Sequence, residues 1–265
     1  MSEQLRRENT AYWNHRAASY SQVNQEELNG MQKLAWRQEI IAQIERAWPG
    51  RSPKSLRVLD VGTGPGFFAV ILAEAGYQVT AVDAAEEMLQ QAQENAGELA
   101  GRIQFHQMDA QRLTLQEGSF DVVLSRNLTW VLPQPEQAYA SWTAVLKPGG
   151  LLLNFDANWY AYLYDSKKRT AYEQDRQNVQ KQGYEDHYIG TDIDAMEKIA
   201  LQVPLTGLHR PEWDVETLQQ LEMTEIRTDE RVWDRVLSPL EKTNYASTPV
   251  FMVTAMKPAV MPGDV

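Results

Sequence analysis

The stretch that decides the fold is Val58-Leu-Asp-Val-Gly-Thr-Gly-Pro-Gly-Phe-Phe68, in which a β-branched run meets three closely spaced glycines. Residues 56–61 are typical of a buried strand, and the apolar run at 67–75 is typical of a helix. Glycines between a strand and a helix let the backbone turn tightly and pass close to a bound ligand. The amides at the start of the following helix favour an anionic group. The stretch therefore predicts a strand, a ligand-binding turn and a helix.

Strands and helices alternate on the carboxyl side of this stretch as far as residue 156. The remaining predicted strands cover residues 78–82, 103–107, 120–124 and 151–155, and the predicted helices cover residues 85–95 and 135–146. Helical spacing is also present over 2–48, and the alternation returns with a helix near 215–221 and strands near 224–228 and 250–256. Alternation at this pace is typical of βαβ units, in which helices cover both faces of a parallel sheet. We therefore predict an α/β fold.

The alternation breaks after the fifth predicted strand. Residues 157–212 have polar helical texture, no clear strand and seven aromatic residues between positions 159 and 188. Aromatic side chains give rigid apolar walls that suit a small organic ligand or a cation, although some of them will pack the segment onto the core. We predict four segments: an N-terminal helical segment 1–50, a ligand-binding core 51–156, a cap or lid insertion 157–212 and a C-terminal part of the core sheet 213–265.

The composition argues against several classes of protein. The 265 residues carry 25 lysines and arginines against 36 acids, a formal net charge of −11, so nucleic acid and anionic membranes are poor partners. There is no cysteine, which excludes disulfides, cysteine nucleophiles and thiolate metal sites. No apolar stretch approaches the roughly 20 residues that span a bilayer, and the N-terminus lacks signal-peptide character. We expect a cytoplasmic monomer or homodimer with neither a nucleic-acid nor a membrane partner.

Two acidic residues narrow the choice of ligand. Asp83 lies at the end of the second predicted strand, where a carboxylate can accept hydrogen bonds from both hydroxyls of a ribose or can cap the next helix, and the two roles can coexist. Asp60 precedes the first glycine by two residues, and a carboxylate there repels a pyrophosphate but suits an ammonium group. The glycines follow G-x-G-x-G rather than the dinucleotide pattern G-x-G-x-x-G, so a nicotinamide-dependent oxidoreductase is disfavoured.

Five motifs occur in order: Asp60-Val-Gly-Thr-Gly-Pro-Gly66, Asp83, Met108-Asp-Ala110, Phe120-Asp-Val-Val-Leu-Ser-Arg-Asn127 and Leu146-Lys-Pro-Gly-Gly-Leu-Leu-Leu153. In this order the chain resembles the class I S-adenosylmethionine-dependent methyltransferases, in particular the small-molecule type 11 or UbiE-like group. The resemblance implies a Rossmann-like, doubly wound, seven-stranded sheet, mostly parallel with the last strand antiparallel, with N-terminal helices and a helical cap insertion. It also implies S-adenosyl-L-methionine as cofactor, S-adenosyl-L-homocysteine as product, and methyl transfer to a small-molecule acceptor by in-line displacement.

The resemblance assigns roles to individual residues. Asp83 would bind the ribose and Asp109 the exocyclic amine of adenine, unless Asp109 is only a solvated loop acid. Tyr12-Trp-Asn-His-Arg-Ala-Ala-Ser-Tyr20 would fold over the cofactor, with Tyr20 or Arg16 at its carboxylate, or would act as an aromatic staple. The implied cofactor-binding residues are Tyr20, Asp60, Gly62, Thr63, Gly64, Asp83, Ala84, Met88, Asp109, Ala110, Gln111, Arg126 and Asn127.

The acceptor is expected beyond the carboxyl ends of the fourth and fifth strands. Arg126 would bind the cofactor carboxylate or an anionic acceptor, or would form a salt bridge with an acid such as Asp156. The predicted substrate-binding residues are Arg126, Trp130, Asn158, Trp159, Tyr160 and Arg210. The weak candidates for a catalytic base are His209, Asp156 and Tyr160, with His187 as a further one, and no metal site is predicted. Two alternatives stay open: transfer of another group of the cofactor, and methylation of a protein or RNA.

Overall fold

A seven-stranded sheet lies at the centre of the computed structural model, which describes residues 2–188 and 191–259. The strands are β1 (Arg57–Val61), β2 (Gln78–Asp83), β3 (Ile103–Gln107), β4 (Phe120–Arg126), β5 (Leu146–Asp156), β6 (Thr224–Asp229) and β7 (Phe251–Met256). Their order across the sheet is β3-β2-β1-β4-β5-β7-β6, with β1 to β5 parallel and β7 antiparallel to both of its neighbours. The predicted fold class is therefore confirmed.

Helices cover both faces of the sheet. They are α1 (Ser2–Asn29), α2 (Gln32–Ala47), α3 (Phe67–Glu74), α4 (Glu86–Ala96), α5 (Pro135–Val145), α6 (Ser166–Gln182), α7 (Ile193–Ala200), α8 (Glu212–Gln220), α9 (Trp233–Val236) and α10 (Pro239–Asn244). Because helices shield both faces, β4 is buried along its whole length except at Arg126. No helix within residues 2–188 or 191–259 is long and apolar enough to cross a membrane.

Two apolar layers hold the helices to the sheet. On one face, the rings of Trp36, Phe68 and Phe155 meet edge to face with centroids 5.1–5.7 Å apart. On the other face, Tyr139 and Trp142 of α5 are fully buried against the strands. Edge-to-face contacts add to the stabilisation that burial of these rings provides. The layers hold the carboxyl ends of β1 and β4 at the point where the order of the strands reverses, which is where ligands bind in open α/β sheets.

The helical segment predicted over 2–48 consists of two helices, α1 and α2. The structure departs from the sequence prediction in two places. The strand β5 begins at Leu146, five residues before the predicted start, because Leu146 pairs with Phe120 across an irregularity in the ladder. The short helices α9 and α10, of four and six residues, were not predicted because so few residues show no periodicity. Asn244, at the end of α10, accepts a hydrogen bond from Arg176 of α6, so this segment packs against the predicted cap.

Candidate active site

A cavity lies at the carboxyl ends of the parallel strands, between α1 and the segment that follows β5. Its walls come from five parts of the chain: α1, the glycine turn after β1, the loops after β2 to β4, the segment 157–212, and the loop after α10. All thirteen of the predicted cofactor-binding residues line it. Trp130, Trp159 and Tyr160, predicted to bind substrate, line the same cavity.

The glycine turn brings the backbone directly against the cavity. Gly62 has a φ of 68°, and a Cβ there would lie 2.6 Å from Cδ2 of Leu128, so a larger residue would collide. The amides of Gly62 and Thr63 donate hydrogen bonds to the carbonyl of Val82 over 2.8 and 3.0 Å. These bonds fasten the turn to the end of β2. The local sequence therefore fixes both the shape of the turn and its position.

Asp83 joins the turn to the start of α4. One carboxylate oxygen accepts a hydrogen bond of 2.9 Å from the Gly64 amide, and the other accepts one of 2.9 Å from the Ala85 amide. Burial raises the pKa of Asp83, while the amides of Ala85 and Gly64 lower it. Because a carboxylate oxygen has two lone pairs, both oxygens keep accepting capacity toward the cavity. Asp83 thus binds the amide of Ala85, the N-cap residue of α4, rather than an amide of the helix itself. This contact leaves room for a ribose contact.

Two further acids line the cavity. Asp60 accepts a hydrogen bond of 2.6 Å from the Thr63 hydroxyl, and its burial raises its pKa to about 7. Asp109 accepts a hydrogen bond of 2.9 Å from the Gln111 amide, and Nη1 of Arg6 lies 3.4 Å from its other oxygen. Asp109 is therefore bound on two sides rather than fully solvated.

Aromatic rings form the opposite end of the cavity. Trp130 stacks on Tyr160 with ring centroids 5.2 Å apart, and Trp159 meets Tyr245 edge to face at 5.3 Å. Nδ1 of His187 lies 2.9 Å from the hydroxyl oxygen of Tyr245. This end therefore has apolar walls and a small number of neutral polar groups, as sites for small organic molecules usually do.

Comparison with known proteins shows what the middle of the chain resembles. Residues 59–154, which extend from β1 to β5, match the family model described as a methyltransferase domain. A ubiquinone biosynthesis O-methyltransferase from a Caulobacter species is 34% identical over 119 residues, which are 44% of this chain and 47% of that protein. The chain thus spans about half the length of the curated relatives it matches.

Solved structures of methyltransferases share the fold of this chain. An S-adenosylmethionine-dependent methyltransferase from Aquifex aeolicus has a TM-score of 0.51 at 19% identity, with 88% of this chain and 96% of that chain covered. Phosphoethanolamine N-methyltransferase 2 from Haemonchus contortus, in complex with S-adenosyl-L-methionine, has a TM-score of 0.56 at 18% identity, with 89% and 60% covered. At these identities the likeness shows the fold alone.

The cavity has groups that fit S-adenosyl-L-methionine, the ligand in the Haemonchus contortus structure. Nε of Arg16 and the side-chain oxygens of Asn24 and Asn127 are buried there without a hydrogen-bond partner among the described residues. An unpartnered guanidinium N–H suits a carboxylate, and an unpartnered amide oxygen suits an ammonium group. Together with Asp60 and Asp83, these groups match the polar parts of the cofactor.

Four of the predicted substrate or catalytic residues do not line the cavity. Arg210 is 1% exposed and binds Asp156 and Asp214, which are fully buried. The side-chain amide of Asn158 donates to the Arg210 carbonyl, and His209 is exposed to solvent. The structure therefore shows Asp156 as the partner of a buried arginine and gives no contact between these residues and the cavity.

Arg126 has a different partner from the acid that the sequence suggested. It lines the cavity but forms an ion pair with Glu27 of α1, not with Asp156. Its guanidinium also lies over the ring of Trp36, 4.9 Å from the centroid. Because Glu27 already neutralises it, the structure gives no free positive charge for an anionic acceptor at this position.

Among the residues that the sequence did not indicate are Asn24 and Tyr245, which line the cavity, and Glu27, which pairs with Arg126. Asn24 and Glu27 follow Tyr20 at helical spacing, so buried polar residues on this face of α1 were a usable signal. Tyr245 follows a helix of six residues, and nothing in the local sequence indicates that it reaches the cavity. Across residues 2–188 and 191–259, no group of three or more histidine, aspartate or glutamate side chains is arranged to hold a metal ion.

Proposed function

We propose that this chain is an S-adenosylmethionine-dependent methyltransferase that acts on a small-molecule acceptor. The observation that carries the proposal is that the predicted cofactor residues and the aromatic rings of the cap line the same cavity. A methyl donor and its acceptor have to meet at one point, so a shared cavity is what the reaction requires. The relatives named ubiquinone biosynthesis O-methyltransferase support a small acceptor.

The residues proposed to contact the cofactor bind it and fix its orientation. In this proposal Asp83 accepts hydrogen bonds from the ribose hydroxyls, and Asp109 accepts one from the adenine amine. Asp60 and Asn127 hold the ammonium group, and Arg16 binds the carboxylate. The bound cofactor supplies an electrophilic methyl group on a sulfonium. These contacts fix its position, which is the main contribution that an enzyme makes to an in-line displacement.

The acceptor-side residues enclose the other reactant. The rings of Trp130, Trp159 and Tyr160 wall the cavity opposite the acids, and α1 covers it. Enclosure excludes water from the reacting groups and favours a small acceptor over a polymer. The net charge of −11 likewise disfavours a nucleic-acid substrate. Within this proposal residues 157–212 act as the cap, and the protein is a cytoplasmic monomer or homodimer, which light scattering and cell fractionation would test.

Calorimetry tests the cofactor assignment. S-adenosylhomocysteine is expected to bind with micromolar affinity, and NAD is expected not to bind, because Asp60 would face its pyrophosphate. Exposed Asp165, which caps α6 away from the cavity, offers a matched control: Asp165→Ala should bind the ligand as the wild type does. Saturable binding of NAD without binding of S-adenosylhomocysteine would refute the proposal.

The affinity for the cofactor product is expected to depend on pH through Asp60. Its pKa of about 7 lies far above the ordinary value, so the carboxyl is mostly protonated at about pH 6 and ionised at about pH 8. Because the ionised form attracts the ammonium group, affinity for S-adenosylhomocysteine should rise about tenfold over that range. The stability of the ligand-free protein changes with pH in the opposite direction. It falls as pH rises from the ordinary pKa of aspartate to about 7, because the folded state then holds a proton that the unfolded state has lost.

Calorimetry at several pH values measures this dependence. Asp60→Asn removes the titrating group while keeping its size, so its affinity should be low and nearly independent of pH. If the wild type and Asp60→Asn respond to pH alike, the ammonium group is held elsewhere.

A further inference from the structure

We propose that His187 is the general base of this enzyme, that it accepts a proton from a hydroxyl group of the acceptor, and that Tyr245 positions its imidazole. The proposal rests on the methyltransferase function proposed above. The first argument for it is where the four histidines lie relative to the cavity. The chain has four histidines, all of them described, and His187 alone lines the cavity. The other three, His15, His106 and His209, are exposed to solvent.

The contact with Tyr245 determines which nitrogen can act. Nδ1 of His187 lies 2.9 Å from the Tyr245 hydroxyl oxygen, so this nitrogen is already engaged. When Nδ1 carries the proton and donates it to Tyr245, Nε2 has a free lone pair and can accept a proton. The Tyr245 ring is itself held edge to face against Trp159. The imidazole therefore has a fixed partner on a side chain whose own position is set by packing.

The backbone of the loop that carries His187 is also anchored. The His187 amide donates to the side-chain oxygen of Asn244 over 3.1 Å, and the amide group of Asn244 donates to the Glu185 carbonyl over 3.0 Å. Arg176 of α6 donates to the same Asn244 oxygen and forms an ion pair with Asp186. A base on a loop has to be held in this way if it is to stay within reach of the acceptor.

Burial favours the neutral form of the His187 imidazole. Burial lowers its pKa, and Arg176 acts in the same direction, while Glu241, Glu185 and Glu26 oppose them. A general base has to be unprotonated before the reaction, so this environment suits the role. Burial raises the pKa of the neighbouring hydroxyls of Tyr160, Tyr188 and Tyr245. Those side chains therefore remain neutral phenols, and Tyr160 cannot serve as the base.

The proposed step balances as follows. The acceptor oxygen forms a bond to the methyl carbon, and the carbon–sulfur bond breaks with its electron pair remaining on sulfur. The hydroxyl proton passes to Nε2 of His187, which becomes a cation, while the sulfonium charge is lost. Charge thus moves from sulfur to the imidazolium, and the proton is returned to solvent when the products leave.

A coloured phenol tests the step without knowledge of the natural acceptor. We choose 4-nitrophenol as acceptor and follow its methylation by S-adenosylmethionine below and above the pKa of the free probe. Below that pKa the wild type is expected to methylate the probe at least about tenfold faster than His187→Gln, because the hydroxyl has to lose its proton during the attack. Above that pKa the probe is already ionised, so the two rates should converge. His209→Gln, the matched control, should behave as the wild type at both pH values.

Further measurements separate the possible outcomes. S-adenosylhomocysteine should bind His187→Gln as tightly as it binds the wild type. If the wild type itself does not bind S-adenosylhomocysteine, the proposed methyltransferase function is refuted, rather than the role of His187 alone. Tyr245→Phe should lower the rate only below the pKa of the probe and shift its pH dependence, because Tyr245 acts through the imidazole. A wild type that does not methylate the probe, equal rates of the wild type and His187→Gln below that pKa, or a defect of His187→Gln that persists above it would each overturn the proposal.

Discussion

Replacing Arg210 with methionine is expected to lower the free energy of unfolding by about 3–5 kcal/mol. The Arg210 side chain is 1% exposed, with Nη1 2.6 Å from an oxygen of Asp156 and Nη2 2.7 Å from an oxygen of Asp214. Methionine fills most of the space but carries no charge. Two fully buried carboxylates would then lie close together with no cation between them, which is a costly arrangement in a protein interior.

Urea unfolding followed by circular dichroism measures the loss. The matched control is Arg231→Met, since Arg231 is 85% exposed and pairs with Asp234 at the surface. That change should alter the free energy of unfolding by no more than about 0.5 kcal/mol. Adding Asp156→Asn and Asp214→Asn to Arg210→Met should recover part of the loss, because the stranded charges are then gone. Equal stabilities of Arg210→Met and Arg231→Met would contradict this account.

Arg210→Met is also expected to disturb the wall of the cavity. Besides binding Arg210, Asp156 accepts a hydrogen bond of 3.0 Å from the Trp130 amide. Trp130 stacks on Tyr160 in the cavity wall. A displaced Asp156 would therefore move an aromatic wall that it does not itself line. The buried ion cluster thus supports the aromatic wall of the cavity as well as the fold.

Asp83→Ala is expected to weaken the binding of S-adenosylhomocysteine by at least about tenfold. If Asp83 accepts both ribose hydroxyls, the change removes charge-assisted hydrogen bonds worth about 1.5–3 kcal/mol each. The variant also deprives the Gly64 amide of its acceptor, which loosens the glycine turn. Both effects act on affinity in the same direction. The fold should persist, because Asp83 lies at the end of β2 rather than inside the apolar layers.

Calorimetry with two companion variants separates ligand contact from the structural role of Asp83. Asp83→Asn keeps one accepting oxygen and should lose affinity by an intermediate factor. Asp165→Ala removes an exposed acid that caps α6 and should leave affinity unchanged. Thermal unfolding shows whether each variant is folded at the temperature of measurement. Wild-type affinity in Asp83→Ala would mean that the carboxylate serves only to hold the backbone before α4.

Much of the fold was predictable because its signals are local. The strand of residues 57–61, the glycine turn and the following helix are adjacent in sequence, so composition and spacing alone indicate them. The order of the motifs then supplied the sheet topology by resemblance. The start of β5 was misplaced because Lys147-Pro-Gly-Gly150 has the texture of a turn, whereas pairing with a distant strand draws Leu146 into the ladder.

The site was less predictable where it depends on long-range partners. Arg126 and Glu27 are 99 positions apart, and Arg210 and Asp156 are 54 apart. A short stretch of sequence does not indicate which buried acid forms an ion pair with which distant arginine. Both ion pairs are therefore evident only in the structure. The cofactor-side residues, by contrast, lie in short motifs directly after strands. Their side chains reach the cavity as a consequence of where the strands end.

The order in which the chain is made has a consequence for the cavity. Its wall includes Asn9 of α1 and also Tyr245, which is synthesised after β6. A domain generally folds as a unit once its residues have left the ribosome. A nascent chain that has completed β1 to β5 still lacks Tyr245 and the Asn244 side chain that anchors the His187 loop. The cavity can therefore be completed only after residues that follow β6 have emerged.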